Sequence, residues 1–495
     1  PPFALEAIRL LFNVAFIKPC VIGFSKAHGN ATKWQLASEI NEQTKRIRLE
    51  FNSNPRFLAS SKNSKFGPTG LLANVIMAIS LAVTYAASQT ILLEIQEDNV
   101  QPGEPVRNTL LSYFAFLVLG VVILIQASIS VWALTSTKIR SWNTSPFAAA
   151  YILSQLPVEE GETEKYHLKR TPGRCMRSLY DRFCDSADAV VPRKEQVSAW
   201  DSHPIFRSLT MWIWMLIGAG FYWGILIFSM VQSGTTGTSQ GGDWLPVSIS
   251  SNSSSPSVLN LGWDGVAPTS GLLWGLAILV GFQGGIVTTA LTCAQTILDL
   301  ACDQQMWMEI EKKGSDSKPH IFKKYVVCWH SYVIQVADPL YHWMFGLAVN
   351  ISANKGLQVR PVPIFWVSAV GVLGAAFITW QLKIKINTYL PATFGHLQTM
   401  VDLIDEWDEK IYWGDKSIGY KQGHAGTSTQ NAPYRVVEIF KSKSYGGQDC
   451  TICHRNSWMV YDIFVLCLVD YVSVAVYFIH LLRWESCQSC HHLTM

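Results

Sequence analysis

The chain has 495 residues, of which 49% are hydrophobic, and a formal net charge of +3. So small a charge does not suggest nucleic-acid binding, and no nucleic-acid partner is expected. The mean hydropathy of +0.18 excludes an ordinary soluble domain and points to a lipid bilayer as the main partner of the surface.

In chain order, residues 1–69 form a basic segment, with ten Lys/Arg between Arg9 and Lys65. Within it, Ala4–Phe24 reads as the remnant of an apolar segment. Residue 1 is Pro rather than Met, so the chain reads as a fragment or a processed form.

Residues 70–382 are expected to form a transmembrane helical domain. Uncharged apolar runs near 70–93, 109–134, 209–231, 271–298 and 364–382 each approach or exceed the roughly 20 residues that a helix needs to cross a bilayer. Unpaired backbone groups are costly in lipid, so such runs are expected to be helices.

Charge placement sets the expected orientation. The turn after the first run holds Glu94, Glu97, Asp98 and Glu104 against Arg107 alone, loop 135–208 has eleven Lys/Arg, and loop 232–270 has none. Lys and Arg stay cytosolic, so the N-terminal segment and loop 135–208 are expected inside and loop 232–270 outside. Asn252-Ser253-Ser254 is a glycosylation sequon in that outer loop. All eleven cysteines lie outside the two outer loops, which argues against a disulfide-built ectodomain.

Five lysines between Ala301 and Lys324 put that stretch inside, and Lys383 and Lys385 put the end of the last run inside too. The two agree only if 325–350 also crosses, despite His330, Gln335, Asp338, Pro339 and His342. The expected fold is therefore an all-α polytopic bundle of six spans, with five and seven as the alternatives. Its membrane is the plasma membrane or an endomembrane.

Polar residues inside spans are functional suspects by default. Gln283 and Asp299 form the candidate intramembrane site. The plain readings beside it are hydrogen bonds between helices for Gln126, Gln283 and Gln295, and a helix emerging into water for Asp299 and Asp303. Gly220-x-x-x-Gly224, Gly271-x-x-x-Gly275 and Gly281-x-x-x-Gly285 suit close helix packing. Gly284-Gly285 beside Gln283 also suits a break lining a pore.

Residues 383–445 are expected to be cytosolic. Leu397, Met400, Val401, Ile404, Trp407 and Ile411 would share one face of an amphipathic helix, and Gln398, Asp402, Asp405, Glu406 and Glu409 would face water. The tail 446–495 has an apolar stretch at Met459–Leu482 interrupted by Asp462 and Asp470. It also carries Cys450-x-x-Cys453-His454 and Cys487-x-x-Cys490-His491, whose four cysteines suit a zinc site. A membrane crossing between the pairs would separate them, so span and shared zinc exclude each other. No cofactor is expected, with zinc as the alternative.

Several pieces together resemble the uncharacterised multi-span membrane proteins of filamentous ascomycete fungi. They are Phe66-Gly-Pro-Thr-Gly70, Ile125-Gln-Ala with Val131-Trp-Ala-Leu134, Trp142-Asn-Thr-Ser-Pro-Phe147, and Leu291-Thr-Cys-Ala-Gln295 with Asp303-Gln-Gln-Met-Trp307. The most specific runs from Leu390-Pro-Ala-Thr-Phe-Gly-His-Leu-Gln398 through Tyr412-Trp-Gly-Asp-Lys416 to His424-Ala-Gly-Thr-Ser428. The resemblance covers roughly residues 66–440 and implies the architecture but no activity. The text past Tyr445 departs from it.

No Walker loop, G-x-S-x-G elbow, H-E-x-x-H or kinase signature is present, so nothing argues for catalysis. The first functional expectation is a structural, signalling or scaffold protein that acts through partners at its cytosolic loops. The alternative is a transporter or channel for small solutes or ions. A membrane-embedded enzyme would require groups such as His330, Asp338 and His342 to converge.

Overall fold

In a computed structural model of the protein, the described residues are 3–41, 46–53, 60–62, 65–96, 107–143, 145–155, 168, 174, 176–183, 190–232, 259–261, 268–312, 314–316, 329–352, 356–408, 410–416, 422–429 and 444–445. All belong to one of the chain's two compact units, Pro1–Thr451. Asn252, Cys450, Cys453, Cys487 and Cys490, and with them the sequon and zinc expectations, lie outside the described residues.

Helix α1 (Phe3–Phe12) continues through a π-helical turn, Asn13–Ile17, into α2 (Lys18–Ser38). Helices α3 (Leu71–Thr90) and α4 (Tyr113–Ser136) are joined by an antiparallel hairpin of β1 (Leu92–Gln96) and β2 (Arg107–Leu111). After α5 (Pro146–Gln155) and α6 (Pro204–Gln232) comes the short strand β3 (Leu259–Leu261). Helix α7 (Pro268–Leu279) passes through a π-helical stretch, Val280–Thr288, into α8 (Thr289–Ala301), followed by α9 (Asp303–Lys312). Helix α10 (Trp329–Ala348) leads through β4 (Val349–Ser352) and β5 (Gly356–Val359) into α11 (Pro361–Lys383). The described chain closes with α12 (Leu397–Leu403), β6 (Lys410–Asp415), β7 (Ala425–Thr429) and the two-residue strand Ser444–Tyr445.

The fold is the all-α polytopic bundle expected. Among the described residues, six helices are long and apolar enough to cross a membrane: Ala7–Ser38, Leu71–Thr90, Tyr113–Ser136, Pro204–Ser229, Leu273–Glu311 and Pro361–Lys383. Five of them overlap the strong apolar runs of the sequence. The sixth, Ala7–Ser38, lies within the basic segment 1–69, whose charges had concealed it.

Helix α10 occupies the place of the weak run 325–350. It has the same 20 residues as α3, about 30 Å at the rise of an α-helix, but its polar content keeps it below the apolarity of the other six. Among its described side chains Trp329, Val333, Val336 and Leu340 are exposed, three or four residues apart on one stripe, while Ile334 and His342 are buried. Its exposed stripe is apolar, while Asp338 and His342 are turned toward neighbouring helices. It packs on α11, α8, α3 and the π-helical stretch of α7–α8.

The two ends of the bundle differ. At one end β3, β5 and β4 form an antiparallel sheet, the β1–β2 hairpin meets β4, and Arg9 donates to the Leu92 carbonyl. We call this the hairpin end. At the opposite, loop end, Trp34 Nε1 donates to Ser141 O beyond α4 at 2.9 Å. There α5, α9, α12 and β6 enclose Phe147, Trp307, Ile411 and Tyr445 in a core of their own.

Two helix-packing glycines behave as expected, and one does not. A Cβ at Gly224 would lie 2.9 Å from Ile364, and one at Gly275 would lie 2.8 Å from Ile351, whereas one at Gly281 would meet nothing within 4 Å.

The amphipathic helix expected through Ile411 is corrected. It ends at Leu403, and Ile411 sits in β6 instead. Asp402 and Asp405, expected to face water, are turned inward: Asp402 is 2% exposed and accepts from Gln398 Nε2. Asp405 accepts from Thr427 N at 2.7 Å, from Lys416 Nζ at 3.1 Å and contacts His424 Nε2 at 2.9 Å. A carboxylate with these partners ties the chain to the β6–β7 hairpin and draws it out of the helix.

Candidate functional site

A polar cluster lies inside the hairpin-end half of the bundle. It starts at two places where the α-helical pattern fails. A π-helical turn carries one more residue than an α-helical one, leaves carbonyls with altered partners, and is frequent at functional sites. In Val280–Thr288 the altered carbonyls are met by hydroxyls, Thr288 Oγ1 donating to Gln283 O at 3.0 Å and Thr289 Oγ1 to Gly284 O at 3.1 Å. Gln283 is thereby turned fully inward, at 0% exposure. At Gly284 the packing reading holds, since a Cβ there would collide with Ala82 Cβ, and in place of the alternative break the helix continues as a π-helix.

The other π-helical turn, Asn13–Ile17, sits immediately before Lys18. Asn13 Nδ2 donates to Arg9 O at 3.0 Å, and Ser88 Oγ donates to Asn13 Oδ1 at 2.7 Å. This joins α1 to α3 and fixes the point at which Lys18 leaves α2.

The Lys18 ammonium pairs with the Asp338 carboxylate of α10, the two side chains being 14% and 16% exposed. Tyr85 OH donates to the same carboxylate oxygen, Oδ2, at 3.3 Å. The Tyr85 ring stacks on the His342 imidazole, with centroids 3.8 Å apart and planes 9° from parallel. His342, one turn after Asp338, brings Nε2 to 3.4 Å from Asp338 Oδ1, without a formed hydrogen bond. Its other nitrogen, Nδ1, is 3.1 Å from Gln283 Nε2.

Backbone holds this arrangement in place. Pro339 has no N–H to give to the Gln335 carbonyl, which loosens α10 beside Asp338. One turn further, Gln89 Nε2 donates to His342 O at 2.6 Å. Only a glycine at 346 permits that approach, since a Cβ there would lie 2.9 Å from the Gln89 amide carbon. A cavity of about 10 Å³ lined by Arg9, Asn13, Gln89, Trp343, Gly346 and Asn350 lies on the hairpin-end side, with space for a single water.

The cluster thus draws Lys18 from α2, Tyr85 from α3, Gln283 from the π-helical stretch, and Asp338 and His342 from α10. It includes Gln283 of the two expected site residues but not Asp299. Asp299 accepts from Gln295 Nε2 on its own helix at 2.9 Å, sixteen residues or about 24 Å along the helix from Gln283. Asp303 is also separate: it is fully buried, accepting from Gly395 N at 2.8 Å and from Thr393 Oγ1. Gln126 fulfils its plain reading and donates to Thr84 Oγ1 at 2.8 Å.

Of the residues whose convergence an embedded enzyme would need, Asp338 and His342 meet, and the His330 side chain lies outside the described residues. Sequence reasoning missed Lys18 and Tyr85. Lys18 interrupts the otherwise apolar Val14–Phe24, and a lone cation in such a run is the signal that could have found it. Among the described residues no group of three or more His, Cys, Asp and Glu is placed to hold a metal ion.

Fold and site together define an α-helical membrane bundle with an ion pair and a histidine enclosed among its helices. Comparison with family models, with curated proteins and with solved structures finds no match to this chain.

Proposed function

We propose that this protein is a transporter of small solutes or ions, with Lys18, Tyr85, Gln283, Asp338 and His342 as its working site. The observation that carries the reading is the Lys18–Asp338 pair beside His342, enclosed within apolar helices. Ionisable groups in a bilayer cost several kcal/mol even when paired, and transport pathways are where they recur. Two π-helical segments flank the same site, which suits helices that change register.

The test is reconstitution into proteoliposomes on a solid-supported membrane, challenged with gradients of inorganic ions, amino acids, sugars and organic acids. At least one gradient is expected to give a current or flux above protein-free vesicles that Asp338→Asn abolishes. Silence across the panel would favour the scaffold reading, whose support is the packed unit at the loop end.

For orientation, the Lys/Arg-rich loops favour the loop end in the cytosol, in the plasma membrane or an endomembrane. Arg9 then lies on the outer side, opposite to the side expected for the N-terminal segment. One observation opposes this assignment: Cys302, at the loop end, is disulfide-bonded, and reducing compartments disfavour such bonds. The Lys/Arg pattern is repeated by several segments and outweighs that single bond. Glycosylation of Asn252 in protein from a eukaryotic host is the expected result; its absence, with sugar instead on an engineered sequon at the loop end, would reverse the orientation.

A further inference from the structure

We propose that the ion used by this site is a proton, taken up on His342 Nδ1, and that its arrival exchanges Lys18 for His342 as the partner of Asp338. The inference rests on the transport reading for its purpose, but its chemistry stands on the geometry alone.

A metal cation is poorly served here. The Asp338 carboxylate already has the Lys18 ammonium and the Tyr85 hydroxyl on Oδ2 and His342 facing Oδ1, so its oxygens meet donors rather than an open coordination shell. The imidazole, by contrast, has a partner suited to both of its protonation states. In the neutral ring, Gln283 Nε2 donates to Nδ1 across 3.1 Å, which leaves the ring hydrogen on Nε2, toward Asp338. Gln283 Oε1 is buried without a hydrogen-bond partner. Rotating that amide by half a turn presents Oε1 to Nδ1, where it can accept from the N–H of an imidazolium.

The balance is simple. A hydronium ion gives one proton to the Nδ1 lone pair and leaves as water, while Lys18 stays an ammonium, Asp338 stays a carboxylate and the cluster gains one positive charge. Two cations then compete for one carboxylate. His342 is on the same helix one turn from Asp338, and its Nε2, at 3.4 Å, has only a short way to close. Lys18 belongs to a different helix, so it is the partner released, and α2 loses its tie to α10.

The groups facing His342 are consistent with this assignment. Asp338 lies on its own helix, Lys18 comes from α2, Tyr85 from α3, and the π-helical stretch presents only the Gln283 amide. Arg9 of α1 lines the small cavity one turn toward the hairpin end. Helices α8 and α11 carry single charges, Asp299 and Lys383, toward their loop ends, and β4 carries none. Tyr341 points away, donating to Val367 O at 3.0 Å.

The experiment is a pH titration, from 8 to 4, of the full chain in lipid nanodiscs, with histidine ring and lysine Nζ nitrogens labelled for NMR. The ring signals that His342→Gln removes are expected to shift from neutral to protonated values. The Nζ signal that Lys18→Arg removes is expected to move with the same midpoint, and this movement is expected to be lost in His342→Gln. A ring that stays neutral to pH 4, or an Nζ signal that stays still or moves equally in His342→Gln, overturns the proposal. The wild-type titration decides even if a variant fails to fold. Co-titration without solute flux would count against the transport reading alone, and flux without co-titration against the proton alone.

Discussion

At the scale of single residues, the Lys18–Asp338 pair is costly to enclose and sensitive to half-measures. Removing one partner leaves an uncompensated charge among apolar helices, at about 3–5 kcal/mol, whereas replacing both by apolar groups is often near neutral. Lys18→Met and Asp338→Leu are each expected to lower the detergent unfolding midpoint strongly, and the double variant to recover most of the loss. Equal, additive losses in that cycle would show that the two side chains are not coupled.

Asp299→Asn, outside the cluster, is expected to leave any flux within about twofold of wild type, since an exposed or partly exposed polar substitution away from a site does little. Gln283 was legible in the sequence because a glutamine among apolar residues is conspicuous. Its partner was not, because nothing in linear spacing pairs residue 283 with residue 342.

His203 gives a second residue-scale outcome, at the loop end just before α6. Burial lowers its pKa from 6.5 to about 4, and Nδ1 accepts from Ile205 N at 3.2 Å. The folded state therefore keeps the ring neutral while the unfolded state takes up a proton from about pH 6.5 downward. Above pH 6.5 the group contributes nothing to the pH dependence; between 6.5 and 4 the fold is expected to lose at most about 3 kcal/mol. His203→Phe should flatten that part of the stability–pH curve, measured by denaturant unfolding in detergent.

Elements show where periodic patterns are reliable and where they are overridden. The long apolar runs became helices because lipid leaves the backbone no other partner. The amphipathic pattern after Leu397 failed because Asp405 finds better partners across the β6–β7 hairpin than in water. Asp405→Ala is expected to release that hairpin, and limited proteolysis should then cut between residues 408 and 430 several times faster than in wild type.

The corner before α12 is equally specific. Phe394 and Gly395 have φ of 43° and 74°, and a Cβ on Gly395 would come within 2.8 Å of Leu300. Gly395→Ala combines left-handed strain with a clash, and a drop of several degrees in the thermal midpoint is expected. The run Leu390–Gln398 is thus a structural corner, held by Asp303 and by Trp307 Nε1 donating to Thr393 Oγ1 at 2.9 Å.

For the whole molecule, the sequence conveyed the class and most of the crossing helices, because hydropathy and loop charge act over long segments. It concealed Ala7–Ser38 because Arg9, Lys18 and Lys26 made that segment read as a cytosolic arm. Once Lys18 is seen to meet Asp338, the weakness of α10 as an apolar run and the unexpected helix near the start of the chain become one fact: each carries the charge that the other requires.

That mutual requirement reaches back to synthesis. Asp338, Pro339 and His342 make α10 a poor candidate for leaving the insertion machinery alone, whereas α11 directly after it is strongly apolar. The ribosome delivers Lys18 some 320 residues before Asp338, so the helix Ala7–Ser38 waits in the bilayer with its cation unmatched until α10 enters beside α11 as a pair. A chain cut short before α10 would hold an orphan charge in lipid, a mark by which the cell's quality-control machinery can tell an unfinished copy from a complete one.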